Sequence, residues 1–390
     1  MEFLEHSYRK ISNIYSDQDQ YGRLQREWCR ERVTSLDLTS QSLEMESPHH
    51  GPIMDLDLDR QSKDYLLACS LDGVVSIYGQ KGASSDMNVL CSLTRESPGN
   101  HTFGTHAVSW YPVDTGMFVT GSKDKTVKIW DSTVLEAVLT FEVEGAVYGT
   151  AMSDVVAAQH SLVAITGDMK NVTLGDVSSG SASHILSGHG CAVWTCAWSS
   201  RSEWELISGS VDGQVRLWDI RRPGSLHVFD MEDSHIRGTD HSLIAEEGRR
   251  AHASTVTGVA CVPGTGLFWL TTGNDGRAKL WDMDSKQHLL RHYEKRCSKT
   301  KFVRHIDFTE DGTFLFHPSE HGVHVFDVMT GKLMVTLEGG HYAPVHCCAW
   351  DPVHQRLFSA GADKSICIWG LESSYEDTDA WSDDDDTLRY

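Results

Sequence analysis

Short apolar stretches with a period of two follow one another along almost the whole chain. Val215-Arg216-Leu217 shows the alternation clearly, and the apolar run from Cys191 to Trp198 is another such stretch. Turn-forming pairs such as Asp212-Gly213 separate the stretches, which contain almost no proline. Short segments of this period, bounded by turns, are typical of β-strands. The pattern therefore predicts an all-β protein.

A repeated set of polar and aromatic residues organises these stretches. His189 precedes Asp212 by 23 residues, and Asp212 precedes Trp218 by six. The same or nearly the same intervals recur elsewhere, and in four copies Ser or Thr lies four residues before the aspartate. The four complete sets are His101, Thr120, Asp124 and Trp130; His189, Ser208, Asp212 and Trp218; His252, Thr271, Asp275 and Trp281; and His341, Ser359, Asp363 and Trp369. A fifth copy has His50, Asp72 and Tyr78, with Ala68 at the hydroxyl position.

The two gaps between these copies contain degenerate units of the same length. Gly175 stands at the tryptophan position in the first unit, and Phe326 stands there in the second. Each unit has room for four short strands, so the sequence predicts a seven-bladed β-propeller of the WD-repeat type. The alternating run from Arg32 to Thr39 is expected to supply an extra strand that completes the last blade.

Charge divides the chain into three regions. The formal net charge is -21, and residues 371–390 carry eight acidic residues and one basic residue. We expect an N-terminal segment over 1–30 with short helices, a propeller over 31–371 and a disordered acidic tail over 372–390, in which Ser382 precedes four aspartates and is a candidate phosphorylation site. The negative charge argues against direct nucleic-acid binding, and no apolar run is long enough for a membrane helix.

The Ser or Thr, His and Asp of each set resemble the nucleophile, base and acid of a hydrolase. An active site is usually present once, whereas this set occurs four times with a tryptophan added. We therefore interpret it as a structural hydrogen-bond chain and expect no catalytic residue. No metal or cofactor is expected either, because Cys-x-x-Cys pairs and a phosphate-binding Gly-x-x-x-x-Gly-Lys loop are absent from the sequence.

Three places outside the repeats offer contacts to partners, each with a simpler alternative. Residues 1–30, with Phe3 and Leu4, form either a docking segment or a frayed terminus. The arginines that follow Trp218-Asp219-Ile220 are either a contact site or solvated surface charge. The loop 230–250 is either a contact loop or a tolerated insertion.

Several tracts resemble the Cockayne syndrome A family of WD-repeat proteins. These are residues 110–118, 183–189, the degenerate Leu174-Gly175-Asp176 and the acidic stretch 379–383, and the similarity covers nearly the whole chain. The resemblance implies the substrate receptor of a cullin-RING ubiquitin ligase in transcription-coupled nucleotide excision repair, located in the nucleus.

The resemblance also implies partners and contact residues. The expected partners are the ligase adaptor, which is the large damage-specific DNA-binding protein, and through it the cullin-RING core; the Cockayne syndrome B ATPase; and stalled RNA polymerase II. Trp218, Asp219 and Arg221 match the family's adaptor-binding sequence, with Arg221 as the contact residue, and Phe3 and Leu4 match its terminal segment. The alternative is a WD-repeat scaffold of histone-chaperone or signalling type without a ligase.

Overall fold

The structure is a computed structural model that describes residues 27, 29–39, 47–80, 87–153, 160–230, 250–264, 266–289, 293 and 305–371. The regular secondary structure of these residues is almost entirely β-strand, with one short helix over residues 29–34. In this part of the chain, no helix is long and apolar enough to cross a membrane. The expected tail over 372–390, with Ser382, lies outside the described residues, as do Phe3, Leu4 and nearly all of the loop 230–250.

The strands form antiparallel sheets in chain order. A first strand, β1 (Asp37–Leu38), belongs to the last sheet. The two sheets that follow it consist of β2 (Ile53–Leu58), β3 (Tyr65–Ser70), β4 (Val75–Gln80) and β5 (Met87–Leu93), and of β6 (Thr105–Trp110), β7 (Met117–Ser122), β8 (Thr126–Asp131) and β9 (Glu136–Glu142).

The middle of the chain forms one sheet of eight strands, made of two meanders. The first comprises β10 (Val147–Met152), β11 (Leu162–Gly167), β12 (Val172–Asp176) and β13 (Ser181–Leu186), and the second comprises β14 (Val193–Trp198), β15 (Glu205–Ser210), β16 (Val215–Asp219) and β17 (Ser225–Val228).

Three four-stranded sheets complete the fold. They consist of β18 (Val256–Cys261), β19 (Phe268–Gly273), β20 (Arg277–Asp282) and β21 (Gln287–His288); of β22 (Asp307–Phe308), β23 (Phe314–Pro318), β24 (Gly322–Asp327) and β25 (Leu333–Glu338); and of β26 (Val345–Asp351), β27 (Arg356–Gly361) and β28 (Ile366–Gly370) with β1.

The sheets are arranged as a β-propeller, which confirms the predicted class. The innermost strands β2, β6, β10, β14 and β18 contact one another in succession, as do β22 and β26, and β26 contacts β2 across the junction of the first and last sheets. The described residues form six sheets rather than seven separate ones, because the pairing of Gly167 with Val193 and a 2.8 Å bond from Val193 N to Met169 O join the two middle meanders.

The ring closes through β1, where Asp37 pairs with Gly370 and Leu38 pairs with Trp369. This strand is shorter than the run Arg32 to Thr39 that we expected, because residues 29–34 are helical. Val33 and Leu36 are buried in the core beside the last sheet, and Cys29 packs against it. Spacings of four and three residues between these side chains fit a helical face. The predicted strand was therefore wrong over its first half.

The core lies between neighbouring sheets. Ile53 and Leu66 of the first unit pack with Phe358 and Ile368 of the last, and Leu280 of the fifth packs with Phe326 of the sixth. Phe326 is fully buried, so it fills the position that tryptophan occupies elsewhere. In the third unit, a Cβ on Gly175 would lie 3.2 Å from the ring of Phe141, so this side chain from β9 occupies the space that glycine leaves.

Candidate functional site

Three of the four predicted sets are complete hydrogen-bond chains. In the first, His101 Nδ1 lies 2.9 Å from Asp124 Oδ2, and His101 Nε2 lies 2.7 Å from Thr120 Oγ1. Trp130 Nε1 donates to the same Thr120 hydroxyl over 2.8 Å. The chain therefore connects a loop, a turn and two adjacent strands.

The sets around His252 and His341 have the same geometry. The bonds to the carboxylates of Asp275 and Asp363 are 3.2 and 2.7 Å long, and those to the hydroxyls of Thr271 and Ser359 are 2.8 and 2.7 Å long. Trp281 and Trp369 donate to these hydroxyls over 2.9 and 2.7 Å. The hydroxyl-bearing residues of all four sets are fully buried.

The set around His189 lacks its carboxylate. Nε2 of His189 bonds Ser208 Oγ over 2.7 Å, and Trp218 Nε1 donates to that hydroxyl over 2.8 Å. Nδ1 of His189 is buried and has no partner among the described residues. Asp212 instead accepts the Gln214 N–H of its own turn over 2.9 Å. The predicted bond between Asp212 and His189 is therefore wrong.

In the first unit, the histidine of the repeat is His49 rather than His50. His49 is buried and lies 2.8 Å from Ser70 Oγ, whereas His50 is exposed and gives only its backbone N–H to Asp72. Ser70 donates to Asp72 and thereby supplies the hydroxyl that Ala68 cannot provide. The assignment of His50 was one residue out, because two histidines stand side by side in the sequence.

The histidines of these sets differ in protonation. Burial, together with the charge of the nearby Arg216, lowers the pKa of His189 to about 3. Burial also disfavours the charged form of His341, but the hydrogen bonds and charges of Asp363 and Cys367 together outweigh this effect and raise the pKa of His341 to about 9. The first ring is therefore neutral at pH 7 and the second is cationic.

Arg221 is the candidate contact residue at the other end of the strands. Its Nε and one terminal nitrogen each donate to Asp219 over 2.9 Å, and its backbone N–H donates over 3.1 Å. The guanidinium carbon lies 5.5 Å from the centroid of the Trp204 ring. The side chain is nevertheless 56% exposed, so Arg221 is both fixed in place and open to a partner.

The tryptophan and the aspartate of the Trp-Asp-x-Arg sequence are buried beneath Arg221. Trp218 is fully buried, and the side chain of Asp219 is 6% exposed. Direct contact with a partner is therefore excluded for Trp218, contrary to the expectation that it belongs to the contact surface. Strand β16 ends at Asp219, which places Arg221 in the following turn.

A cavity of about 620 Å³ lies beside Arg221. Apolar side chains from three successive units line it, among them Val113, Leu162, Trp204 and Ile220. Trp204 was not singled out from the sequence, because it lies outside the repeated set. The only signal for it was a tryptophan in a polar loop near the strand that leads to Arg221.

A second group of residues that sequence reasoning missed connects innermost strands. Asp55 Oδ2 accepts the Val108 N–H over 2.9 Å, and Asp57 Oδ2 accepts the Trp110 N–H over 2.6 Å. Asp307 does the same for Trp350 N over 2.7 Å, one junction before the ring closes. The sequence signal for these bonds was the presence of acidic residues within an otherwise apolar strand, as at Asp55 and Asp57 in β2. No group of three or more potential ligands within the described ranges is arranged to hold a metal ion.

Comparisons with known proteins identify the repeats. The WD domain, G-beta repeat model matches residues 95–131, 180–219, 246–282 and 331–370. WD repeat-containing protein ATCSA-1 of Arabidopsis thaliana is 28% identical over 90% of this chain and 94% of its own. The serine-threonine kinase receptor-associated protein of Dictyostelium discoideum is 24% identical over 83% of this chain and 97% of its own. Four segments of the chain therefore match the WD repeat model, and the described residues fold as a β-propeller.

Proposed function

We propose that this protein is the substrate-recognition subunit of a cullin-RING ubiquitin ligase that acts in transcription-coupled nucleotide excision repair. The observation that carries the proposal is the fixed, exposed guanidinium of Arg221 in a Trp-Asp-x-Arg sequence. The similarity to ATCSA-1 along nearly the full length of both chains supports it.

Arg221 is suited to bind the ligase adaptor because it is already ordered. Its bonds to Asp219 and its position over Trp204 hold the guanidinium in place before a partner arrives. Binding then requires less ordering of the side chain, and the remaining N–H groups of the planar guanidinium can donate to the adaptor. Asp219 is held as a carboxylate, since the hydrogen bonds from Arg221 lower its pKa.

In the proposed complex the protein performs no chemistry itself. It connects the adaptor, the large damage-specific DNA-binding protein, to the Cockayne syndrome B ATPase and thereby to stalled RNA polymerase II in the nucleus, with Phe3 and Leu4 as further adaptor contacts. We also propose that the eight-stranded sheet acts as two blades, which gives seven in all. Each of its meanders has the four strands of the other units, and one residue pair joins them.

The test is the charge reversal Arg221→Glu, measured as adaptor affinity and thermal stability of the purified protein. We expect adaptor binding to weaken more than tenfold, which corresponds to about 1.4 kcal/mol, while the melting temperature changes little. Binding to the ATPase should persist, because the proposal places it on another surface.

Arg277→Glu is the matched control. It makes the same change of charge at the exposed first residue of strand β20, at the opposite end of the strands. Equal adaptor binding by the Arg221 variant and the control would remove Arg221 from the interface. Failure of the wild-type protein to bind the adaptor would favour the alternative, a WD-repeat scaffold without a ligase.

A further inference from the structure

The turns that carry the repeated aspartates share a left-handed backbone. The residue after the aspartate has a φ of 86° at Gly73, 85° at Gly213 and 72° at Gly276. Lys125 and Lys364 take the same position in two other units, with φ of 67° and 68°. Glycine adopts this conformation most readily, whereas a lysine there is strained. Two units therefore keep a long cationic side chain at a position that favours glycine.

The space around each turn explains only in part why three turns have glycine and two have lysine at this position. A Cβ on Gly73 would lie 3.3 Å from Phe103 O, and one on Gly213 would lie 2.2 Å from His252 O, so these turns pack against the next loop. Lys125 and Lys364 are exposed. Open space permits a side chain at these two turns, but it does not favour lysine over the conformationally easier glycine. Backbone strain that glycine would relieve is found preferentially at functional sites.

The same two units expose an aromatic side chain on the loop beside the lysine turn. Phe103, two residues after His101, is 59% exposed, and Tyr342, directly after His341, is 79% exposed. The Tyr342 hydroxyl donates to Asp363 O over 3.1 Å, which holds the ring next to the turn of Lys364. The units with Gly213 and Gly276 have the small pairs Gly190-Cys191 and Ala253-Ser254 in these loops.

The carboxylates in these turns are occupied by other donors. Asp124 accepts from His101, Thr126 and the Thr102 N–H. Asp363 is bonded to the cationic His341. These carboxylates therefore leave the neighbouring lysine charges available, and Lys123 adds a third exposed cation. Local positive charge on a chain with a net charge of -21 favours an acidic partner.

We propose that Lys125, Lys364, Phe103 and Tyr342 bind an acidic segment of a partner protein that also carries an aromatic side chain. The two units that contribute them flank the unit of β2–β5, since β26 and β6 both contact β2. The lysines pair with carboxylates of the segment, and the exposed rings pack on its apolar side chain. This surface lies at the end of the strands opposite Arg221, so it is independent of the proposed adaptor contact.

The test uses the full-length protein and a labelled peptide in which Trp and Phe alternate with pairs of Glu and Asp, with binding measured by fluorescence anisotropy. The variant is Lys125→Gly with Lys364→Gly, which removes both charges and installs the residue that sister turns already use. We expect its peptide affinity to fall about tenfold and its melting temperature to stay the same or rise. The substitutions Phe103→Ser and Tyr342→Ser should also weaken binding.

Lys286→Gly is the matched control, because Lys286 has a φ of 57° in a turn at the opposite end of the strands. It makes the same chemical change, and peptide affinity should stay at the wild-type value. A peptide with lysines in place of the acidic residues should not bind. No binding of the acidic peptide, equal affinity of the double glycine variant, or tighter binding of a short DNA duplex than of the peptide would each overturn the proposal.

Discussion

The sets around His189 and His341 have the same four residue types, but their histidines differ in charge. His341 is bonded to Asp363 and is held cationic, whereas His189 has no partner at Nδ1 and is held neutral. The intervals in the sequence differ by only one residue. Spacing therefore brings the residues to the same part of the blade, and the local turn and its charged neighbours decide which hydrogen bonds form.

The largest effect expected from this comparison is that of Asp363→Ala. The substitution leaves His341 buried without the carboxylate that stabilises its charge, and loss of one partner of a buried ion pair typically costs about 3 to 5 kcal/mol. Urea unfolding at pH 7 measures the free energy of unfolding. A loss under about 1 kcal/mol would contradict a cationic His341 paired with Asp363.

A smaller effect is expected from acid on His189. Its folded pKa of about 3 lies below the usual value near 6.5, so its stabilising contribution is complete above pH 6.5 and decreases as the pH falls towards the folded pKa. Between pH 7 and pH 5 the wild-type protein should lose about 2 kcal/mol more than the variant His189→Gln, which does not titrate.

The same pair of proteins provides the control for this acid effect, since all other groups titrate equally in both. If the wild-type protein and the variant lost the same free energy of unfolding between pH 7 and pH 5, His189 would not be held neutral. His341 should show the opposite trend, with stability that is complete below pH 6.5 and decreases as the pH rises towards 9.

The smallest effect is expected from Asp212→Ala. This change removes the bond from the Gln214 N–H but no bond to His189, so we expect a loss of about 1 kcal/mol. Thermal melts of this variant beside Asp363→Ala measure the difference directly. Equal destabilisation by the two substitutions would mean that both carboxylates serve their histidines alike.

Much of the fold was predictable, because the repeat fixes where strands and turns occur. Spacing predicted the hydrogen-bond chains around His101, His252 and His341, since the tryptophan of the third strand is always six residues beyond the aspartate of the turn. Spacing did favour His49, which precedes Asp72 by 23 residues like the histidines of three other sets, but it did not predict Ser70 as the hydroxyl partner in place of Ala68. The partner of Gly175 was also beyond local sequence, because Phe141 reaches it from the preceding sheet.

The candidate site was also predictable only in part. The sequence identified Arg221, but not the Trp204 ring beneath it or the burial of Trp218. Those features depend on the approach of separate loops, and no local pattern encodes that approach. Short helices were expected over residues 1–30, but the extension of the helix to residue 34 was missed because a short segment can satisfy a period of two and a helical period at once.

The pairing of β1 with β28 has a consequence for synthesis of the chain. Thr39 Oγ1 bonds Ile368 O across 329 residues, so the last sheet lacks its fourth strand until both ends of the chain meet. At about 5 to 20 residues per second, a ribosome needs roughly 15 to 65 seconds to make the intervening chain. Throughout that interval Asp37 and Leu38 have no ladder partner, so the strand edges that later pair stay open to other chains.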